Sequence, residues 1–216
     1  MNAYSFNSEF AVNSVPLDRK ERHRLLRKAD ILRAAEHVFA LKGFYKATIQ
    51  DIARQAQYAT GTVYLYFQDK DALYFSIIEE KISQFLHVLS LKMVSSKGGY
   101  SKLEIYICES LNFFEKDHDF FRIFVQGETR WSIKNKLAKL TIFQKRKDYF
   151  VELVKEAQSE GAVRQDLEAR QISDILDSII ITFVYNWLGS RTRQVKDLKG
   201  MTGIIMDLFF NGVKKN

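Results

Sequence analysis

Thr48 to Phe67, TIQDIARQAQYATGTVYLYF, is the stretch that most restricts what this chain can fold into. Thr48 is a good helix cap, and Asp51 three residues on can reach back to it, close to the capping-box pattern. Ile49, Ile52, Ala53 and Ala56 recur at spacings of three and four, so one face of the first helix is apolar. Gln57-Tyr58-Ala59 forms the turn. In the second helix Val63 and Phe67, four apart, must point inward, which leaves Thr60, Gly61, Tyr64 and Leu65 outward. A short helix whose outer face carries hydroxyls, a glycine and aromatics, with no carboxylate, suits a DNA groove. The pair reads as a helix-turn-helix with the second helix as the reader.

The surrounding chain agrees with an all-helical protein. It has 216 residues, 17 Phe and a single proline, Pro16, and no segment alternates as a strand would. Residues 1–17 lack periodicity and read as a disordered tail. Asp18 with Glu21 marks a helix start, and Gly43 marks its end. The first turns of that helix are crowded with Arg19, Lys20, Arg22, Arg24, Arg27 and Lys28; Ile31, Leu32, Ala35, Val38 and Phe39 then form an apolar face. Asp69 should cap a long helix reaching about Val94. Further helices are expected over about Ser101–Lys116, Asp119–Gln126, Leu167–Gly189 and Val195–Val213, with one or two between Thr129 and Gly161. The boundaries drawn are a tail at 1–17, a DNA-binding domain at 18–68 and a second domain at 69–216.

Charge and cysteine content narrow the chemistry. The net charge is +7, and residues 1–70 hold 11 Lys and Arg against 7 Asp and Glu. A basic balance permits an anionic partner without choosing among nucleic acid, a membrane surface and an acidic ligand. The lone cysteine, Cys108, excludes an intrachain disulfide and a cysteine-based zinc site. The N-terminus has no basic and apolar signal-peptide pattern. The most apolar run, Ile175 to Leu188, is short for a bilayer and contains Asp177. A cytoplasmic location is expected. His23, His37, His87 and His118 are scattered without metal-ligand spacing, and no glycine-rich phosphate loop occurs. No catalytic residue, metal or cofactor is therefore assigned, and an enzyme is not expected.

The segment Ile31 to Leu73 resembles the DNA-binding domain of the TetR family of bacterial regulators. Its landmarks are Ala35, Phe39, Gly43, Thr48, Ile52-Ala53, Gly61-Thr62, Tyr64, Tyr66-Phe67, Lys70 and Leu73. Two positions depart from the pattern: Gln57 stands where the family has glycine, and Ala59 where it has a serine cap. Gln57 should therefore be strained or use another turn, and Thr60 or Thr62 should take over as cap. The resemblance implies an all-helical chain of about nine helices, three of them forming the helix-turn-helix domain. It also implies a homodimer on double-stranded operator DNA and a C-terminal domain for a small effector. Lys46, Thr48, Tyr64, Tyr66 and Lys70 are the expected phosphate contacts, with Arg24, Arg27 and Lys28 as further candidates. Thr60, Gly61, Thr62 and Leu65 are expected near base edges.

In the C-terminal part, Gln126-Gly-Glu-Thr-Arg130, together with Gly61 to Leu86, is similar to the fatty-acid-degradation branch that responds to long-chain acyl-CoA. Phe85, Phe114, Phe121, Phe124 and Phe150 are candidates for an apolar effector cavity, with Gln126 and Arg130 as polar anchors. Lys134, Lys136, Lys139, Lys145 and Arg146 belong either near a ligand phosphate or on a solvated helix face. Ile179, Phe183, Trp187, Ile205, Leu208 and Phe209 are the expected dimer face. The alternative is a helical interaction or membrane-surface module built on the basic first helix.

Overall fold

The structure, a computed structural model, describes residues 18–128, 136, 139–189 and 197–212, without the side chains of 126–128. The expected tail at 1–17, Arg130, Lys134 and the side chain of Gln126 lie outside the described residues. Among the described residues there are nine α-helices and no strand. They are α1 Arg19–Lys42, α2 Ile49–Ala56, α3 Thr60–Tyr64, α4 Lys70–Met93, α5 Gly99–Lys116, α6 His118–Glu128, α7 Thr141–Ser159, α8 Ala169–Gly189 and α9 Thr202–Asn211. The chain gathers into two compact units, Met1–Lys81 with Asp119–Leu137, and Ile82–His118 with Ala138–Asn216.

Local signals account for the first unit's elements. The Asp18 carboxylate accepts the Glu21 N–H at 2.6 Å and opens α1, and Gly43 at φ 76° closes it with its N–H on the Phe39 carbonyl. The Thr48 hydroxyl oxygen accepts the Asp51 N–H at 3.1 Å while the Asp51 carboxylate accepts the Thr48 N–H at 3.2 Å, a complete capping box. Lys42 and then Thr48 hold the Asp51 carboxyl down to about 2. A lowered carboxyl stabilises above its unfolded value and loses that contribution only as pH falls through the folded one, so the cap persists throughout the neutral range. The Asp69 carboxylate accepts the Ala72 N–H at 2.7 Å and starts α4. Ile31, Phe39, Ile52, Val63, Phe67 and Leu73 are buried between these helices, joined by Phe120, Phe121 and Ile123 of α6.

The turn takes the strained alternative expected at Gln57 and departs from expectation in the capping of α3. Gln57 adopts the left-handed conformation at φ 59°, and the following Tyr58 N–H bonds the Ala53 carbonyl at 2.9 Å. A side chain with Cβ at such angles costs about 1–2 kcal/mol. Ala59 is the N-cap of α3, and no side chain caps it; neither Thr60 nor Thr62 replaces the missing serine. Thr60 is already inside the helix, where its hydroxyl has passed the capping position, and it is half-buried instead of pointing fully outward.

The second unit is built around α5, α7 and α8. Gly99 opens α5 directly against α7: a Cβ there would stand 2.3 Å from the Ala157 nitrogen, so only glycine fits. Its N–H is satisfied by the Glu160 carboxylate at 2.7 Å. At the far end of α5, Glu115 accepts from the Leu198 and Lys199 N–H groups ahead of α9. Tyr106 of α5 stacks on Phe150 of α7 at 3.9 Å. The helix α8 runs over Ala169–Gly189, close to the Leu167–Gly189 expected, and passes a test of length and composition for crossing a membrane that core helices also pass. Only 28% of its most apolar window is buried within the protomer.

Replacing Gln57 by glycine is expected to stabilise the first unit by about 0.5–1 kcal/mol, because relief of the left-handed strain exceeds the added entropy of the unfolded chain. Ala59→Ser should add about 0.5–1 kcal/mol by capping α3. Urea unfolding of the two variants checks both; a fall in stability for either contradicts the turn geometry.

Candidate nucleic-acid interface

The side chains that leave the helix-turn-helix core converge on one surface. Val63 and Phe67 turn inward and are buried, which leaves Tyr64, the last residue of α3, and the following Leu65 outward. Tyr64 is 52% exposed and Leu65 84% exposed. A leucine this exposed does not serve a core, which removes the alternative that it packs on the next helix. Gly61 is exposed, and nothing lies within 4 Å of where its Cβ would stand, so backbone and ligand can approach closely there. Thr62 and Tyr66 are half-buried, while Lys46 and Thr48 are exposed beside the start of α2. With its oxygen engaged by Asp51, the Thr48 hydroxyl still has a proton to donate. Together with the unpaired N–H groups of the first helical turn, it forms a place for a phosphate.

Lys70 does more than the sequence indicated. Its ammonium donates to the Ala47 carbonyl at 3.0 Å and the Tyr45 carbonyl at 3.4 Å, and lies 4.6 Å from the Phe44 ring centre. The loop ahead of Thr48 is thus fastened by the first residue of α4. An ammonium has three donors, and two are used here. At the other edge of the head, the Tyr58 hydroxyl donates to Asp30 at 3.1 Å and ties the turn to α1.

Beside α3 lies an open groove of about 690 Å³ lined by Arg19, Lys20, His23, Arg24, Arg27 and Tyr66. Sequence reasoning named Arg24, Arg27 and Lys28 as phosphate candidates. The structure groups the first two with Arg19, Lys20 and His23, while the Lys28 ammonium lies 5.9 Å from the Phe67 ring. The spacing 19, 23, 27 and 20, 24, one helical face, is the signal that identifies this set.

The other predicted sites fare unevenly. In the second unit Phe85 is buried edge-on against Tyr106, Phe150 is stacked on Tyr106, and Phe114 is half-buried beside Phe113. Phe121 and Phe124 are buried in the first unit. Arg146 is neither a ligand-phosphate contact nor a solvated residue. Its guanidinium is mostly buried and grips Asp177 at 2.7 and 3.1 Å while donating to the Tyr106 hydroxyl at 2.5 Å. An aspartate inside an apolar run was the sign of such a buried cationic partner. Lys136 pairs with Asp71. On α8 and α9, Ile179, Phe183, Trp187, Leu208 and Phe209 are half-buried, but Ile205 is fully buried in its own protomer, because it points into the second unit's core rather than outward.

A capped helix, a tight turn and a short helix with an exposed aromatic and aliphatic face, flanked by a basic groove, define a helix-turn-helix DNA-binding protein. Residues 31–77 match the bacterial regulatory proteins of the tetR family, and residues 78–212 match the YsiA-like protein, C-terminal region. The chain belongs to the TetR family and is a ligand-responsive, DNA-binding transcriptional regulator, acting as a dimer on operator DNA. The fatty acid metabolism regulator protein of Bacillus subtilis (strain 168) is 26% identical over 184 residues, 85% of this chain and 93% of that protein. The fold is also that of the fatty acid degradation regulator FadR of Bacillus halodurans, with 23% identity, coverage of 88% and 97%, and a TM-score of 0.79. FadR of Bacillus subtilis in complex with stearoyl-CoA gives 22%, 86% and 99%, and 0.78.

Two substitutions separate contact from scaffold. Tyr64→Ala should weaken operator binding while changing stability by less than about 0.5 kcal/mol, as expected for an exposed side chain. Lys70→Ala should weaken binding and also cost about 1–2 kcal/mol through the carbonyls it leaves unpaired. Fluorescence anisotropy with labelled operator and urea unfolding of both variants measure the two effects; an equal stability loss in both would contradict this division.

Proposed function

We propose that the protein is a repressor that leaves its operator when a long-chain acyl-CoA binds, and that it works in the cytoplasm. Residues 18–68 act as the reading head and residues 69–216 as the effector and dimerisation part. The observation that carries the ligand class is the 26% identity to a fatty acid metabolism regulator across 93% of that relative. A fold neighbour in complex with stearoyl-CoA supports it. The phenylalanines of the body, Phe85, Phe114, Phe121, Phe124 and Phe150, supply apolar surface of the kind an acyl chain requires. Release needs the effector to prefer the non-binding state by about 1–3 kcal/mol, a 5–150-fold change in affinity.

Dimerisation is assigned to α8 and α9. Ile175, Tyr185 and Ile204 are 51%, 59% and 47% exposed in the single protomer, and Gly203 has open space above its Cα. An apolar face of this kind on a largely uncovered helix suits a self-complementary contact. Ile204 takes the place in this face that the sequence reading gave to Ile205.

Stearoyl-CoA at micromolar concentration should lower affinity for a selected operator by at least about fivefold, and coenzyme A alone should not. Anisotropy titrations test this; equal affinity with and without stearoyl-CoA rejects the ligand class. In sedimentation velocity, Ile175→Asp with Gly203→Glu should convert the dimer to monomer at micromolar protein. A variant that remains dimeric rejects the assigned face.

A further inference from the structure

We propose that the first two and a half turns of α1 form a phosphate clamp, a second DNA contact outside the helix-turn-helix that grips the duplex backbone without reading sequence. The proposal rests on the DNA-binding reading above and adds a surface to it. The residues concerned, Arg19, Lys20, His23, Arg24 and Arg27, all precede residue 31, where the match to the family's DNA-binding region begins.

Three observations carry it. The first is the charge of the helix start. Residues 19–28 hold six Lys and Arg and one Glu, a net +5 within ten residues of a chain whose total is +7. The N-terminal end of a helix is the positive end of its dipole, so cations in the first turns oppose the helix. Lys20 and Arg24 are four apart and Arg24 and Arg27 three apart, where like charges repel by a few tenths of a kcal/mol per pair. Among the described residues Glu21 is the one carboxylate that pairs with a groove cation, holding Arg24 at 2.7 Å. A sequence that sets local rules against helix stability along one face points to a partner that offsets them.

The second observation is shape. The five side chains border one open groove of about 690 Å³. The row from residue 19 to residue 27 is about 12 Å long at 1.5 Å per residue. That length meets about two to three consecutive phosphates of one strand. The third is position. Tyr66, two residues past the exposed Tyr64 and next to the exposed Leu65, forms the groove's wall. A backbone strand lying in the groove therefore continues from the surface that the reading helix presents, which favours duplex DNA over a separate small polyanion or a membrane.

The test uses the full chain and a duplex of random sequence, so it needs no operator. In the triple variant Arg19→Gln, Lys20→Gln, Arg27→Gln, the slope of log affinity against log salt should fall in magnitude by about 2–5 for a dimer, near 0.9 per lost phosphate contact. Affinity at 0.15 M salt should drop about tenfold or more, by the same factor on operator and on random duplex. The melting temperature should hold or rise, since repulsion is removed. Arg27→Lys should retain the slope, and Lys155→Ala, Arg164→Ala, Arg170→Ala, which removes the same charge from exposed positions of α7, the α7–α8 connector and α8, should leave it unchanged. An unchanged slope in the glutamine variant, or an equal fall in the control, overturns the clamp. So does intact duplex binding with lost binding to inorganic polyphosphate or to vesicles containing anionic lipid. Failure of the wild-type chain to select any operator while its random-duplex slope remains salt-steep and groove-dependent would count against the repressor reading and leave the clamp standing.

Discussion

The reading head depends on one ammonium group. Lys70 at the start of α4 sits over the Phe44 ring and donates to the carbonyls of Tyr45 and Ala47, the last stretch of backbone before the Thr48 cap. Those carbonyls belong to a loop between two helices, and without a partner the one beside the buried Ala47 would be stranded. Phe44 packs edge-on against Tyr74 of α4 at 5.2 Å, and the Tyr74 hydroxyl donates to the Ile123 carbonyl of α6 at 3.3 Å. The N–H groups that offer a phosphate site at α2 are therefore held by a chain of contacts running back to α6 within the same unit.

The head's departures from ideal local sequence all lie on its surface. Gln57 occupies a backbone state that glycine fills without strain, Ala59 leaves α3 uncapped, and the cations of α1 oppose their own helix dipole. A five-residue helix without a cap has no independent stability. What holds it is tertiary burial: Ile31, Phe39, Ile52 and Val63 are each fully buried. Burial of side chains this size contributes about 1.5–3 kcal/mol each, more than any of these local costs. The core therefore sets the angle of α3, and the surface positions remain available for recognition.

The same division explains what was legible in the sequence. Asp18, Thr48 with Asp51, Asp69 and Gly43 act within four residues of themselves, so the starts of α1, α2 and α4 and the end of α1 could be read directly. The heptad-like spacing of Ile49, Ile52 and Ala53 and the pair Val63 and Phe67 gave the inner face correctly. What depends on residues far apart was not readable. Lys70 meets Tyr45 and Ala47 across 25 and 23 positions. Arg146 looked like one more basic residue in a run, and only the fold shows Asp177 and Tyr106 beside it, 31 and 40 positions away. Ile204 and Ile205 are indistinguishable in composition, and one rotation of 100° along α9 decides which faces solvent.

Arg146, Asp177 and Tyr106 link the interior of the second unit to its outer face. Burial pushes the Tyr106 hydroxyl up and works against the Arg146 charge, while Asp177 and Tyr106 together outweigh that burial and keep the guanidinium protonated. Each member has its partners, since Tyr106 accepts from Arg146 and donates to Asp177. Losing Arg146 or Asp177 would leave the other's buried charge uncompensated at a cost of about 3–5 kcal/mol. The network therefore favours a single arrangement of α5, α7 and α8. Asp177 lies on α8 between Ile175 and Ile179, two residues from each, and those side chains belong to the face assigned to the second copy. A displacement of α7 that carried Arg146 with it would have to draw α8 along or break the pair. The ion pair thus ties the packing of α5 and α7 to that of α8 within the second unit.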